Sequence, residues 1–370
     1  MKKLIAGIAA LVMLFTSVLC GASVAEAKKI RIVTTIFPIY DWVRQIVGNG
    51  DNVELTMLLD SGVDLHSYQP TAQDIMKVAT CDTFVYVGGE SDEWVEGALA
   101  ESVNPDRVVV NLVEAMGVDV RMEEIVEGME HDHDHDEEED HEHDEDEEHD
   151  HDEEEDHEHD EDEEHDHDEE EDHEHNEEEH EHDEEGHEHE DEVDEHVWLS
   201  LRNAQKLVKA LAAALGQADP ANAVSYNENA AAYIEKLAAL DAEYAAAREA
   251  ADFDTVLFGD RFPFRYMVDD YGLNYYAAFS GCSAESEASF ETIAFLAGKV
   301  DELGLTTVLT IEGDNHRIAE TIVQNTAAKD AKVLLMDSMQ GTTGADAQNG
   351  ATYMEVMEKN LEVLKQALVK

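Results

Sequence analysis

Between His131 and Glu192 the chain is almost wholly metal-ligand chemistry. Of 62 positions, 17 are His and 43 are Asp or Glu, the other two being Asn176 and Gly186. A sixteen-residue unit, HDHDEEEDHEHDEDEE, runs from His133 to Glu148 and again from His149 to Glu164, and a third copy from His165 degrades near its end. Imidazole nitrogen is a borderline ligand that suits zinc, copper and nickel, and carboxylates add charge and further donors. No Lys or Arg balances the run, so it is expected to attract divalent cations strongly. The chain has 20 His, which leaves His66, His196 and His316 as the imidazoles available to an ordered site.

Composition narrows the partners. The formal net charge is −67, and the chain outside the run is still acidic. Phosphate binding needs a basic face, so nucleic acid is excluded as a partner, and adhesion to anionic lipid is disfavoured for the same reason. No H-E-x-x-H zinc-hydrolase signature occurs, and no Ser-His-Asp arrangement or Gly-rich phosphate loop stands out. The expectation is a binding protein and not an enzyme.

Lys2 and Lys3 precede an apolar stretch from Leu4 to Leu19, the form of an export signal. Ala25-Glu26-Ala27 fits a cleavage site, which makes residues 1–27 a signal peptide. Cys20 as a lipid-bearing cysteine is the less favoured alternative, because Ser17-Val18-Leu19 is a poor lipobox. The stretch is short for a permanent span, so an extracytoplasmic protein, in the periplasm or on the outer cell surface, is expected. Cys81 and Cys282 would remain after cleavage. Two widely separated cysteines are no disulfide framework; they could pair, and Cys282 could instead serve as a soft metal ligand.

The elements that must position the three isolated histidines are legible from periodicity. KIRIVTT (29–35), 53–59, TFVYV (83–87) and 107–111 read as strands, with helices over 36–47, 71–79 and 93–101 between them. Thr71 and Asp74 are placed to cap the second helix. From about Asp119 to Asp194 the chain leaves the fold as an insertion, expected to be disordered for lack of apolar residues to bury. A helix follows over 201–215. The stretch 221–250, rich in Ala, Leu, Glu and Lys without internal Gly or Pro, reads as one long helix. A second alternating set then places strands at 255–258, 275–279, 307–311 and 332–336, and helices at 264–271, 290–303, 316–325 and 353–369. Strands alternating with helices imply parallel βαβ units. The fold class expected is α/β: two lobes with mostly parallel sheets, residues 28–218 and 251–370, joined by a linking helix over 219–250.

The segments TTIFPIYDWVRQI, GVDLHSYQPTAQDI, DEHVWLSLRNA, DPANAVSYNENAAAYI and MVDDYGL, in that order, resemble the metal-binding subunits of zinc and manganese ABC importers. A His- and acid-rich insertion before the second site histidine resembles the zinc-specific branch. The resemblance implies two lobes joined by a rigid helix and a metal in the interlobe cleft. It also implies capture of Zn²⁺ as cargo by a monomer and delivery to a membrane permease with its ATPase. His66 matches the family's first ligand. His196 matches the second, although the common Asp-Pro-His is Asp194-Glu195-His196 here. The position of the third is Arg261, a permanent cation that cannot bind zinc; its neighbour Asp260 could replace it. The fourth comes from the loop after TVLTI, where Glu312, Asp314 and His316 lie.

The set implied is His66, His196, His316 and Asp260, with Glu312 or water as substitute. His316 otherwise reads as a surface residue at a helix start, and Asp260 as a turn acid paired with Arg261 or Arg265. A manganese importer, using His66, His196, Asp260 and Glu312, is the alternative within transport; the His-rich run argues for zinc, since hard Mn²⁺ gains less from imidazole. A surface metal buffer or adhesin without a transport role is the alternative outside it. The run itself reads as a low-affinity metal collector or buffer.

Overall fold

The computed structural model describes residues 29–48, 50, 52–101, 103–130, 192–283, 287–313 and 316–370. The N-terminal stretch with its cleavage and lipidation alternatives, the repeats, and Asp314 lie outside them. Segments rich in β-branched, aromatic and Leu residues form two four-stranded parallel sheets. The first contains β1 (Ile30–Thr34), β2 (Val53–Met57), β3 (Thr83–Tyr86) and β4 (Val108–Asn111), in the order β2-β1-β3-β4. The second contains β5 (Thr255–Phe262), β6 (Asn274–Ser280), β7 (Thr307–Thr310) and β8 (Lys332–Leu335), in the order β6-β5-β7-β8.

The two sheets share a winding. β1 pairs with β2 on one side and β3 on the other, as β5 does with β6 and β7. The chain therefore reverses its direction of progress at β1 and again at β5. At such a reversal the loops beyond the carboxyl ends of the strands diverge and leave a crevice where ligands gather. His66 follows β2, Cys282 follows β6 and His316 follows β7. Strand β5 runs longer than its apolar residues suggest. It continues through Asp260 and Arg261 to Phe262, with a register irregularity between Phe258 and Arg261.

A helix over Ala223–Glu249 lies between the two sets of strands in the sequence. Its 27 residues make a rod of about 40 Å. Its buried residues, Tyr226, Ala230, Tyr233, Leu237, Leu240 and Tyr244, recur at alternating steps of four and three, so they form one stripe along the rod. Both lobes hold it: Asn229 Nδ2 donates to Ile46 O at 2.9 Å, and Tyr244 Oη to Met357 O at 2.7 Å.

The lobes are also stitched directly. Asp41, fully buried, pairs with Arg44 at 2.6 Å and accepts from Tyr353 N at 2.9 Å. Trp198 Nε1 donates to Ser338 O at 2.9 Å, and Tyr353 Oη donates to Trp198 O at 2.7 Å. These bonds are buried, which makes each expensive to leave unpaired. Among the described residues no helix is long and apolar enough to cross a membrane.

The insertion is narrower than its composition suggests. Residues 119–130 and 192–194 form a defined stem: Met122 and Val193 make an antiparallel bridge, and Glu123 N donates to Glu192 O at 2.8 Å. Met129 is buried, and Glu130 N donates to Ala278 O on β6 at 2.9 Å. The stem has apolar residues to bury after all, namely Val120, Val126 and Met129, which a window dominated by the acidic run obscures.

Candidate metal centre

His66 sits in a single turn of 3₁₀ helix, Leu65–Ser67, whose start is capped by Asp64: its Oδ1 accepts from His66 N at 3.0 Å. The other oxygen of Asp64 accepts from Arg261 Nη2 at 2.6 Å. Burial pushes the Asp64 carboxyl up, but the Arg261 guanidinium and His66 outweigh it and hold the pKa below the usual carboxylate range. Arg261, standing where the resemblance places a third ligand, is thus an interlobe clamp on the His66 turn.

His196 is fully buried. Its Nδ1 lies 3.0 Å from Asp194 Oδ1, and the same oxygen accepts from His196 N at 2.8 Å. A ring N–H given to a carboxylate fixes the tautomer and leaves the opposite nitrogen with a free lone pair. That nitrogen, His196 Nε2, is 3.2 Å from His66 Nε2. Two nitrogens on one tetrahedral zinc, each at about 2.0–2.1 Å, stand roughly 3.3 Å apart. Burial and the neighbouring His196 push the His66 imidazole down, to about 3, which favours the neutral ring that a metal requires.

The loop after β3 supports His66 from behind. Asp92 Oδ2 accepts from Val87 N and Gly88 N, each at 2.9 Å, and so closes the loop that presents Ser91. Ser91 Oγ is 2.7 Å from His66 Nδ1, and Ser91 N donates to Glu195 Oε1 at 2.9 Å. Gly89 is required here: its φ is +88°, and a Cβ would fall 2.3 Å from Glu195 Oε1. Glu195 Oε2 is buried without a hydrogen bond and lies 3.8 Å from His66 Nδ1. Burial raises its carboxyl to about 7, against the lowering effect of Ser91.

Ser91→Ala is therefore expected to leave the fold intact and weaken zinc binding by about 10- to 100-fold, the usual worth of a partner that orients a ligand. Competition with a chromophoric chelator measures it; a change under about threefold would show the hydroxyl to be idle.

The four residues implied by the resemblance fall into two sets. Among the described residues, the ligand atoms lying within 4.8 Å of one another belong to His66, His196 and Cys282. Asp260 and His316 are not in that group and meet at Thr310 instead. Thr310 Oγ1 donates to Asp260 Oδ2 at 2.6 Å and is 3.1 Å from His316 Nδ1. Asp260 also accepts from Arg261 N at 2.9 Å and Ile311 N at 3.3 Å. The carboxylate of Glu312 accepts from Ser338 N and Oγ, both at 2.6 Å, and from Gln340 N at 2.8 Å, which commits both its oxygens to the 338–341 loop. Cys81 and Cys282 are free, Cys81 being buried. Ser91 and Glu195 carry no spacing signal; the Gly88-Gly89 pair that follows β3 is the one local mark of a loop with special backbone geometry.

Residues 32–367 match the family model described as zinc-uptake complex component A, periplasmic. The zinc-binding lipoprotein AdcA of Streptococcus pneumoniae is 31% identical over 366 residues, spanning 99% of this chain and 61% of that protein. The high-affinity zinc uptake system protein ZnuA of Bacillus subtilis is 28% identical over 349 residues, spanning 94% of this chain and 91% of that protein. The chain thus spans about 61% of the length of the AdcA relative. Among solved structures, the Zn(II)-bound ZnuA-like domain of S. pneumoniae AdcA superposes with a TM-score of 0.62 at 26% identity, covering 92% of this chain and 99% of that domain.

Proposed function

The chain belongs to the family of periplasmic zinc-uptake complex component A proteins, and from that premise we propose that it is the extracytoplasmic zinc-binding subunit of an ABC importer. Zn²⁺ is its cargo, held in the crevice between the lobes and delivered to a membrane permease driven by an ATPase. The observation that carries the reading is the approach of two ring nitrogens from distant parts of the sequence, His66 Nε2 and His196 Nε2, to 3.2 Å. Both rings are backed on Nδ1 by a polar partner, which is how imidazole is prepared for a metal. No step of turnover is assigned to the protein. The name ZnuA-like given to the S. pneumoniae domain, and its zinc-bound state, support the same cargo here.

The His- and acid-rich run serves as a low-affinity collector. Calorimetric zinc titration of the full chain is expected to resolve one tight site and a larger class of weak ones. Deleting residues 132–190, which spares the Met122–Val193 bridge, removes the weak class and leaves the tight site. Loss of the tight site on that deletion, with the fold retained by circular dichroism, would move the cargo site into the run and overturn the proposal.

A further inference from the structure

The His66–His196 pair does not complete a zinc coordination shell, and the residue standing at the family's third position, Arg261, cannot contribute to one. We propose that the Cys282 thiolate is the third protein ligand, so that the cargo is held by two imidazoles and one sulfur. This rests on the zinc reading above and deepens it.

Three independent features place the sulfur. Its ligand atom lies within 4.8 Å of the ring nitrogens of His66 and His196. The preceding residue, Gly281, packs directly on the second ring: a Cβ there would come within 3.1 Å of His196 Cε1 and 3.0 Å of Phe262 O. A larger residue would push the loop, and Cys282 with it, away from the imidazole. The loop is also pinned from both sides. Glu123 Oε1, on the insertion stem, accepts from Cys282 N at 2.8 Å, and Arg261 Nη1 donates to Ser283 O at 3.4 Å. Since Arg261 also clamps Asp64 at the foot of the His66 turn, one guanidinium holds the His66 and Cys282 loops in register. The cation at the family's ligand position thus positions two ligands instead of being one.

An ordinary thiol is largely protonated at neutral pH. A coordinating thiol is deprotonated outright. On loading, the S–H bond breaks, the Zn–S bond forms, and the proton passes to solvent, one proton per ion. Two neutral imidazoles and one thiolate leave a residual charge of +1 and an open fourth position for water. Soft sulfur ligands select zinc and resemble nothing that Mn²⁺ prefers, so a thiolate at Cys282 sharpens the site against manganese.

Cobalt(II) reports the ligand directly, because a near-ultraviolet sulfur-to-cobalt charge-transfer band arises only from a thiolate. The numerous carboxylates and imidazoles of the full chain cannot produce it. One equivalent of Co²⁺ added to the full chain should give the band. Cys282→Ser should abolish it and weaken tight zinc binding by about 100-fold, while Cys81→Ala should retain it. Zinc should also slow alkylation of Cys282 by iodoacetamide in the unmutated protein, a readout that needs no folded variant. Tight zinc binding with no charge-transfer band, or a band that survives Cys282→Ser, overturns the thiolate and leaves the zinc reading standing. Absence of any tight zinc site in the full chain sinks both.

Discussion

His66→Ala combined with His196→Ala lowers zinc affinity by about 10⁴-fold in the protein lacking residues 132–190, where the weak class no longer masks the tight one. A four-ligand zinc site is worth about 10–16 kcal/mol, or roughly 3 kcal/mol for each ligand, and two are removed. Each substitution alone costs less than half of the logarithm, because the remaining ring still anchors the ion. The His196 change also carries a folding cost: the ring is fully buried, 5.2 Å from Trp198, and its loss leaves a cavity beside the indole. His196→Gln keeps much of that volume and separates lost coordination from lost packing. Chelator competition, with thermal unfolding in parallel, reads both. Retention of nanomolar binding by the double variant would place the cargo elsewhere. Asp260→Ala and His316→Ala in the same assay decide whether the pair gathered on Thr310 joins the shell.

The second large effect is pH-dependent and comes from Glu195. Its folded pKa is about 7 against an ordinary 4.5. A carboxyl raised in this way favours the fold fully below the unfolded pKa, and that contribution is lost as pH rises through the folded value. Glutamine imitates the protonated form while keeping an oxygen for Ser91 N. Glu195→Gln therefore leaves stability nearly unchanged at pH 4.5 and raises it at pH 8 by about 3 kcal/mol, each pKa unit being worth about 1.4 kcal/mol. His66 acts in the opposite sense: its pKa is depressed to about 3, so its contribution is present above 6.5 and declines toward 3 as pH falls. That decline is common to parent and variant and cancels in the difference. The gain should come with weaker zinc binding, about tenfold, because the charged carboxylate behind His66 supports the imidazole against the ion's charge. Equal melting temperatures for parent and variant at pH 8, with no metal present, would show that the carboxylate is not held charged in a buried site.

The strands and long helices were legible because their signals are local. Apolar and β-branched runs such as IRIVT at Ile30–Thr34 and TVLT at Thr307–Thr310 are what a doubly covered parallel strand requires, and the stretch 221–250, rich in Ala, Leu, Glu and Lys, has no Gly or Pro to break a helix. His66 and His196 were legible because scarcity and motif coincide on them. The rest of the centre depends on groups that meet only in space. Asp260 was chosen as the neighbour of Arg261, but adjacent residues on a strand face opposite ways. Arg261 reaches Asp64 while Asp260 turns to Thr310 on the adjoining strand. Cys282 offered no spacing to count, since its partners arrive from the stem at Glu123 and from the first lobe. The stem itself was hidden by the composition of what it supports.

The bridge between Met122 and Val193 closes a loop of the 70 residues at 123–192. The entropic cost of closing a loop grows with the logarithm of its length. Deleting 132–190 leaves 11 residues in that loop, those at 123–131 and 191–192, so the same bridge closes at a cost lower by about 1.6 kcal/mol. The trimmed protein should therefore hold its stem more firmly than the intact one, and without metal its melting temperature should be no lower than the parent's.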